Sequence, residues 1–416
     1  MEEEQVHVQV KDNSSSIEHI LRPITYISWL LGVGVAHPRK CPKTITIIIR
    51  IIQVAVCSSI LMYDAKLFYF WIYHSVHNDV FIYMDILNWT VCYISIYYYI
   101  YYGIRQYSKW PELMDRLKRL DQEIRKEISM NDQFIKIIEA LAIFTTFTFW
   151  PLWPIIHALY LYLTGFVNII KINDLLFFYI LAQSLINSFV FDIVVYVLYR
   201  RFQILNKLTS QLDKLSDVQH IVFKIRRIRE LHADVCDLAS MVNDIHGLHL
   251  LLCSASCFMM AVTTLFTLLM NIWKSIYPFF YTAYAMQFYL ICWICTFACR
   301  ESNKTGTIIH KIILIWKSVN LDHEASNLSS LEVQCLLEDS NGEQNSNCNS
   351  SYNPHVIENS LSRNLDRECV IRELNDFSTQ LQQNHIAFTA YDFFKINNAS
   401  FACFIGVIFF YLMIFV

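Results

Sequence analysis

The hydrophobic positions of this chain gather into seven long runs, at about 44–63, 80–102, 137–163, 174–199, 248–273, 277–299 and 399–416, separated by polar stretches. A helix that crosses a hydrocarbon core needs about 20 predominantly apolar residues, and each run reaches or approaches that length. The runs are continuous, without the period-two alternation over about ten residues that marks barrel strands. The pattern predicts an all-α fold, a seven-transmembrane helix bundle.

The polar connections differ among themselves. Leu113, Leu117, Leu120, Ile124 and Ile128 recur at helical spacing among charged residues, as do Leu205, Leu208, Leu212, Leu215, Val222, Ile225, Ile228, Leu231, Val235 and Leu238. Such stripes predict amphipathic helices that prolong spans 2 to 5 and pack as a bundle outside the membrane. A generic pair of helices with solvated charged faces would carry the same residues. Between 320 and 364 the chain turns rich in Ser and Asn, which predicts a disordered insert. The resulting division is a terminal segment at 1–43, spans 1 to 6 with their extensions at 44–319, the insert at 320–364, a helix at 365–398 leading to the last span, and span 7 at 399–416.

Charge fixes an expected orientation. Arg39, Lys40 and Lys43 abut span 1, Arg105 and Lys109 follow span 2, Arg200 and Arg201 follow span 4, and Arg300 and Lys304 follow span 6. By the positive-inside rule these ends face the cytosol, with the N-terminus inside and the C-terminus outside. That is the reverse of a G-protein-coupled receptor, and neither the acidic-Arg-aromatic triplet nor the Asn-Pro-x-x-Tyr of that class is present. Sequons begin at Asn303, Asn327, Asn349 and Asn398, and the first three are glycosylatable only if the topology is inverted. The first 43 residues lack the basic start and long apolar core of a signal peptide.

Composition agrees with a membrane protein: 55% of the 416 residues are hydrophobic and 17% charged. A net charge of −3 excludes a globally basic nucleic-acid binder. The 13 cysteines are odd in number and lie mostly inside apolar runs, so they read as packing residues rather than a disulfide framework. Cys292, Cys295 and Cys299 share a helix face but have no histidine beside them, and no metal or cofactor is expected. No phosphate-binding Gly-rich loop, Gly-x-Ser-x-Gly elbow or His-Glu-x-x-His is found, so no enzymatic activity is expected.

Three short stretches carry a resemblance. Residues 228–252 read IRELHADVCDLASMVNDIHGLHLLL, and Leu231-His232, Cys236, Asn243 and Gly247 resemble the approach to span 5 in insect gustatory receptors, with His246 in place of the usual aromatic. Arg300-Glu301 to Thr305 is similar to that family's acidic-x-x-x-Thr stretch after span 6. Phe388-Thr389-Ala390, Phe393-Phe394 and Ile396-Asn397 look like its approach to span 7. The family's span 7 continues into a Gln-Phe pair, whereas this chain reads Phe410-Tyr411, then Leu412 to Val416, and stops. The expected explanation is a truncated gene model, the alternative an altered pore.

The resemblance implies a seven-transmembrane ligand-gated non-selective cation channel, a homo- or heterotetramer with other gustatory receptors, in the plasma membrane of a sensory neuron dendrite. It implies a tastant pocket in the outer half of spans 2 to 6, and a pore lined by span 7, here Tyr411, Ile414 and Phe415. With the expected topology the outer halves present Tyr83, Trp89, Asn271 and, as ligand-binding candidates, Trp150, Trp153, Gln183, Asn187, Tyr281, Tyr284 and Gln287. Aromatic faces stack on sugars or take cations while amides bond hydroxyls, so sugars, amino acids, bitter alkaloids and nucleosides all fit this lining, and resemblance to the branch with long inserts before span 7, which includes fructose-type receptors, favours a sugar. Trp and Tyr also concentrate at membrane interfaces whatever the function, and buried amides also join helices. Asp192 is an intramembrane acid, either functional or paired with Arg200 or Arg201. A metabotropic seven-transmembrane receptor, or a non-conducting truncated subunit, is the alternative to a channel.

Overall fold

A computed structural model describes residues 17–33, 36–38, 42–74, 79–128, 133–146, 172–212, 217–269, 277–338 and 354–415, with single positions at 152, 155, 156, 159 and 163. A helix coincides with every expected span. Span 1 is Lys43–His74, span 2 Asp79–Arg105, span 3 begins in Gln133–Phe144, span 4 is Ile172–Ser210, span 5 Val218–Leu269, span 6 Tyr277–Glu338 and span 7 Asn398–Phe415. Four of these contain described stretches that are long and apolar enough by themselves to cross a bilayer, within Lys43–Lys66, Tyr179–Ser210, Val218–Leu265 and Tyr281–Ser318. Their environments differ sharply: 17% of the apolar window of span 1 is buried against 78% of that of span 4. Span 4 is thus a central helix, while span 1 turns Ile48, Ile51, Ile52 and Val56 outward, as a lipid-facing helix must.

The helix of span 5 has 52 residues and that of span 6 has 62. At 1.5 Å per residue the former is about 78 Å long, more than twice a hydrocarbon core of about 30 Å. Much of each helix therefore lies outside the membrane.

The chain forms two compact units. The first comprises Met1–Val197, Ser240–Thr296 and Phe388–Val416. Within it the helix Arg22–Leu30 ends in a Schellman motif, with Val33 N–H donating to Ser28 O at 2.9 Å and Gly32 N–H to Trp29 O at 3.1 Å. Gly32 sits at φ 79°, a left-handed conformation that this cap requires and that a glycine adopts without a Cβ clash. The helix is fastened to its surroundings by polar contacts. Trp29 Nε1 donates to Thr46 Oγ1 at 3.1 Å, and Glu139 Oε1 accepts from Ile24 N–H at 3.2 Å.

The second unit comprises Leu198–Ala239 and Phe297–Ala387. Its core is the predicted stripe: Leu205, Ile225, Leu231 and Val235 are fully buried, with Phe202, Ile309, Val370, Leu374 and Phe377. Glu373, almost buried, takes Arg226 at 2.6 Å and Arg229 at 3.1 Å. The other stripe behaves differently. The helix Lys109–Glu127 buries Leu113, Leu117, Leu120 and Ile124, but it belongs to the first unit and packs against Ile17–Ile20. Two stripes expected to form one bundle thus find separate partners, because the terminal segment supplies Ile17, Ile20 and Leu21 as an apolar complement.

Helix also occupies both ends of the stretch expected to be disordered, up to Glu338 and from Pro354; residues 339–353 lie outside the described residues. Leu321, Leu328, Leu331 and Cys335 are spaced by seven, three and four positions, a helical spacing hidden in a Ser- and Asn-rich composition.

Candidate functional site

Inside the first unit, polar side chains of spans 2, 4, 5 and 6 meet in one buried cluster. Gln287 on span 6 donates through Nε2 to Ser184 O at 3.0 Å and to the hydroxyls of Ser184 and Ser188 on span 4. Ser188 Oγ lies 2.9 Å from His249 Nε2, and Tyr99 OH on span 2 lies 2.8 Å from His249 Nδ1. A neutral imidazole has one donor and one acceptor nitrogen, so His249 relays a hydrogen bond between Tyr99 and Ser188 in either tautomer. Every member of this chain is buried. Asn88 Nδ2 donates to Thr263 Oγ1 at 2.6 Å and joins spans 2 and 5 in the same way.

The cluster is not fully satisfied. Gln287 Oε1, Asn88 Oδ1 and Asp192 Oδ1 are buried with no hydrogen-bond partner among the described residues. An unpaired buried acceptor costs about 1–3 kcal/mol, and three of them in an apolar bundle are acceptors that an entering hydroxyl or N–H could engage.

The structure separates the predicted ligand residues. Gln287, Tyr284 and Asn187 are buried in the bundle, and Tyr281 is half-buried. Gln183 is directed elsewhere: its Nε2 donates to Leu31 O at 2.8 Å, and Tyr179 OH joins the same carbonyl at 3.0 Å. Leu31 precedes span 1, and the adjoining turn at Gly32 lies against Gln53 of that span. Phe288, the neighbour of Gln287, packs on Phe401 and Phe404 in the first two turns of span 7, with ring centroids 6.0 and 5.7 Å apart. Tyr83 is 65% exposed and Trp89 buried. Trp150, Trp153 and Asn271 lie outside the described residues, and so do the side chains of Tyr411, Ile414 and Phe415.

A second feature emerges where span 5 meets the base of span 7. Residues 388–396 fold into a small hairpin: Ile396 N–H donates to Phe388 O at 2.8 Å, Ala390 N–H to Phe394 O at 2.9 Å, and Phe393 N–H to Ala390 O at 3.1 Å. The central turn residues, Tyr391 and Asp392, have φ of 50° and 60°. This is the geometry of a type I′ turn, which usually takes Asn-Gly, and each left-handed non-glycine residue costs about 1 kcal/mol. Thr389 offsets part of that strain, because its Oγ1 lies 2.9 Å from Asp392 Oδ1 and 3.3 Å from Asp392 N.

The hairpin is clamped to span 5. Asn243 Oδ1 accepts from Thr389 N–H at 2.7 Å while its Nδ2 donates to Thr389 Oγ1 at 3.2 Å. One turn on, Gly247 lies beneath the hairpin backbone, where a Cβ would stand in ordinary contact 3.4 Å from Tyr391 N. Phe388 packs edge-on against Phe191 at 5.8 Å, and His246 meets the same ring at 5.4 Å, filling the place of an aromatic. The hairpin then runs into span 7 through Asn397, whose Oδ1 accepts from Ser400 N–H at 2.9 Å as an N-cap. Asn398 N–H donates to Thr296 Oγ1 of span 6 at 3.0 Å. Sequence reasoning noticed each stretch separately but not that they meet.

The remaining stretches are explained within the second unit. Asn206 donates to Glu301 O and Oε1 at 2.8 and 2.9 Å, and Thr305 Oγ1 donates to Asn206 Oδ1 at 2.6 Å. Glu301 and Thr305, four residues apart on one helix face, thus grip a single amide. His232 is enclosed by Phe202 and Phe377 at 5.4 and 5.8 Å, and burial holds its pKa down to about 4. Its Nδ1 lies 3.5 Å from Cys236 Sγ, a thiol pushed up to about 12 by burial and therefore kept protonated.

Solved structures share the overall fold. The insect olfactory receptor OR5 from Machilis hrabei in complex with eugenol superimposes with a TM-score of 0.58 at 10% identity, covering 96% of this chain and 98% of that one. The same receptor in a second structure gives 0.60 at 11%, covering 96% and 97%. At such identity the likeness establishes the fold, a seven-transmembrane helix bundle. No curated protein matches the chain. The profile of the 7tm chemosensory receptor family matches residues 21–340 and 360–416, a range that takes in every span and both halves of the clamp between Asn243 and Thr389, and the chain therefore belongs to the 7tm chemosensory receptor family.

Proposed function

We propose that this chain is a gustatory receptor, a ligand-gated non-selective cation channel opened by small-molecule tastants, with sugars as the first class to test. The observation that carries this reading is the clamp of Asn243 and Gly247 on the hairpin before span 7. Ligand binding among spans 2 to 6 rearranges the neutral hydrogen bonds of Gln287, Ser188, His249 and Tyr99. The clamp passes that movement to span 7, whose first turns pack on Phe258, Phe288 and Tyr289.

Span 7 supports a pore role through what it leaves uncovered. Phe409 and Met413 are 61% and 85% exposed in the single chain, an apolar face suited to contact with further copies. In a tetramer, homomeric or formed with other gustatory receptors, Tyr411, Ile414 and Phe415 would lie along the pore. The N-terminus faces the cytosol of a sensory neuron, and the ligand lodges against Gln287, Tyr284, Asn187 and Tyr281, with Trp150 and Trp153 as further contacts. A relative solved with eugenol supports a small organic ligand.

Whole-cell recording tests the reading. Cells expressing the chain at their surface, with G-protein signalling blocked, are expected to pass cation current within milliseconds of sugar or other tastant application. Responses that vanish under the block, together with an epitope at Met1 accessible on intact cells, would assign the protein to metabotropic receptors instead.

A further inference from the structure

A cavity of about 300 Å³ opens between the first helices of the chain and the helix Lys109–Glu127, apart from the buried cluster and the clamp. Trp110 and Leu21, both almost fully buried, form its floor. Arg22 and Lys118 line it together with Glu18, His19 and Tyr26. The Arg22 guanidinium carbon stands 5.6 Å from the centre of the Tyr26 ring, and among the described residues neither Arg22 nor Lys118 is engaged in an ion pair. Two cations and one carboxylate therefore share a recess with no internal neutralisation of the excess positive charge.

The recess lies at the membrane boundary. Its helix Arg22–Leu30 is fastened by Trp29 to Thr46 at the start of span 1 and by Ile24 to Glu139 at the start of span 3. Basic side chains at such a boundary attract anionic headgroups, and a guanidinium presents a planar fork matched to phosphate oxygens. The volume is at the small end for ligand pockets, which run from about 300 to 1,000 Å³, and suits a headgroup rather than a whole lipid.

We propose that this cavity binds a phosphate-bearing anion, held by Arg22 and Lys118 against the aromatic wall of Tyr26 and Trp110. The phosphate belongs either to a lipid headgroup or to a soluble phosphate compound, and the experiment separates the two. The purified full-length chain in phosphatidylcholine nanodiscs is titrated with dioctanoyl phosphatidylinositol 4-phosphate and, separately, with inorganic pyrophosphate, and binding is read by native mass spectrometry.

Arg22→Gln and Lys118→Gln are each expected to weaken binding roughly tenfold or more, the loss of one charge-assisted contact. Arg22→Lys retains most of it. Glu18→Gln, which removes the cavity's carboxylate, is expected to tighten binding severalfold, a gain that misfolding cannot produce. Binding of the phosphoinositide alone identifies a lipid headgroup, and equal binding of pyrophosphate identifies a soluble phosphate. Absence of binding by both, or affinities that none of these substitutions moves, overturns the proposal.

Discussion

The side chain of Asn243 grips Thr389 twice, accepting from its backbone N–H at 2.7 Å and donating to its hydroxyl at 3.2 Å. The two residues are 146 positions apart, one at the approach to span 5 and the other in the hairpin before span 7. Asparagine suits this place because a single amide offers a donor and an acceptor, pairing with a backbone group that the hairpin ladder leaves free. The contact turns two helices remote in sequence into one mechanical joint.

Gly247 should show how tightly the joint is fitted. An alanine Cβ would sit 3.4 Å from Tyr391 N and 3.7 Å from Thr389 O, ordinary van der Waals distances. It would also gain about 1 kcal/mol of helix propensity. Gly247→Ala is therefore expected to be neutral or slightly stabilising in thermal unfolding. Gly247→Leu has no room for its branch against the hairpin backbone and should cost about 1–3 kcal/mol. Equal melting temperatures for Gly247→Leu and the unsubstituted chain would show that the hairpin does not rest on span 5.

His232 makes the second unit pH-sensitive. Its folded pKa of about 4 lies below the ordinary 6.5 because burial between two phenylalanines disfavours the charged ring. The unfolded chain binds the proton first, so stability is full above about pH 6.5 and falls as pH drops toward 4, by roughly 3 kcal/mol in all. His232→Phe keeps the aromatic packing and should flatten that part of the profile. A substituted protein that loses stability between pH 6.5 and 4 as steeply as the parent would contradict the assignment.

Gln287 separates packing from recognition by magnitude. Hydrogen bonds between helices in a membrane average about 0.6 kcal/mol and reach about 1.7, so Gln287→Leu should shift unfolding by about 1 kcal/mol. If Gln287 also holds the ligand, the same substitution raises the half-maximal tastant concentration tenfold or more at equal surface expression. A dose-response curve that stays in place would confine Gln287 to helix packing.

Much of this is legible in the sequence. Seven apolar runs identify seven helices because a bilayer sets a minimum length that few soluble helices imitate, and the stripe from Leu205 to Leu238 forms the core of the second unit. What escaped is what depends on long-range geometry. Gln183 bonds the carbonyl of Leu31 across 152 positions, a contact that no local pattern announces. The turn at Tyr391-Asp392 carries none of the Asn-Gly chemistry that announces a type I′ hairpin. His232, Glu301, Thr305 and Asn397 stood out as pieces of short stretches, but Phe377, Asn206 and Ser400, which explain them, are ordinary in sequence and acquire meaning through contact.

The transmission of ligand binding through Asn243 to span 7 is tested most directly by recording tastant-evoked current from cells expressing the chain, Asn243→Leu and Asn243→Asp at matched surface density. The joint predicts current in the parent, a loss or a tenfold or greater rightward shift in Asn243→Leu, and a response closer to the parent in Asn243→Asp, which keeps the acceptor for Thr389 N–H. Unchanged ligand sensitivity and current amplitude in Asn243→Leu would contradict it.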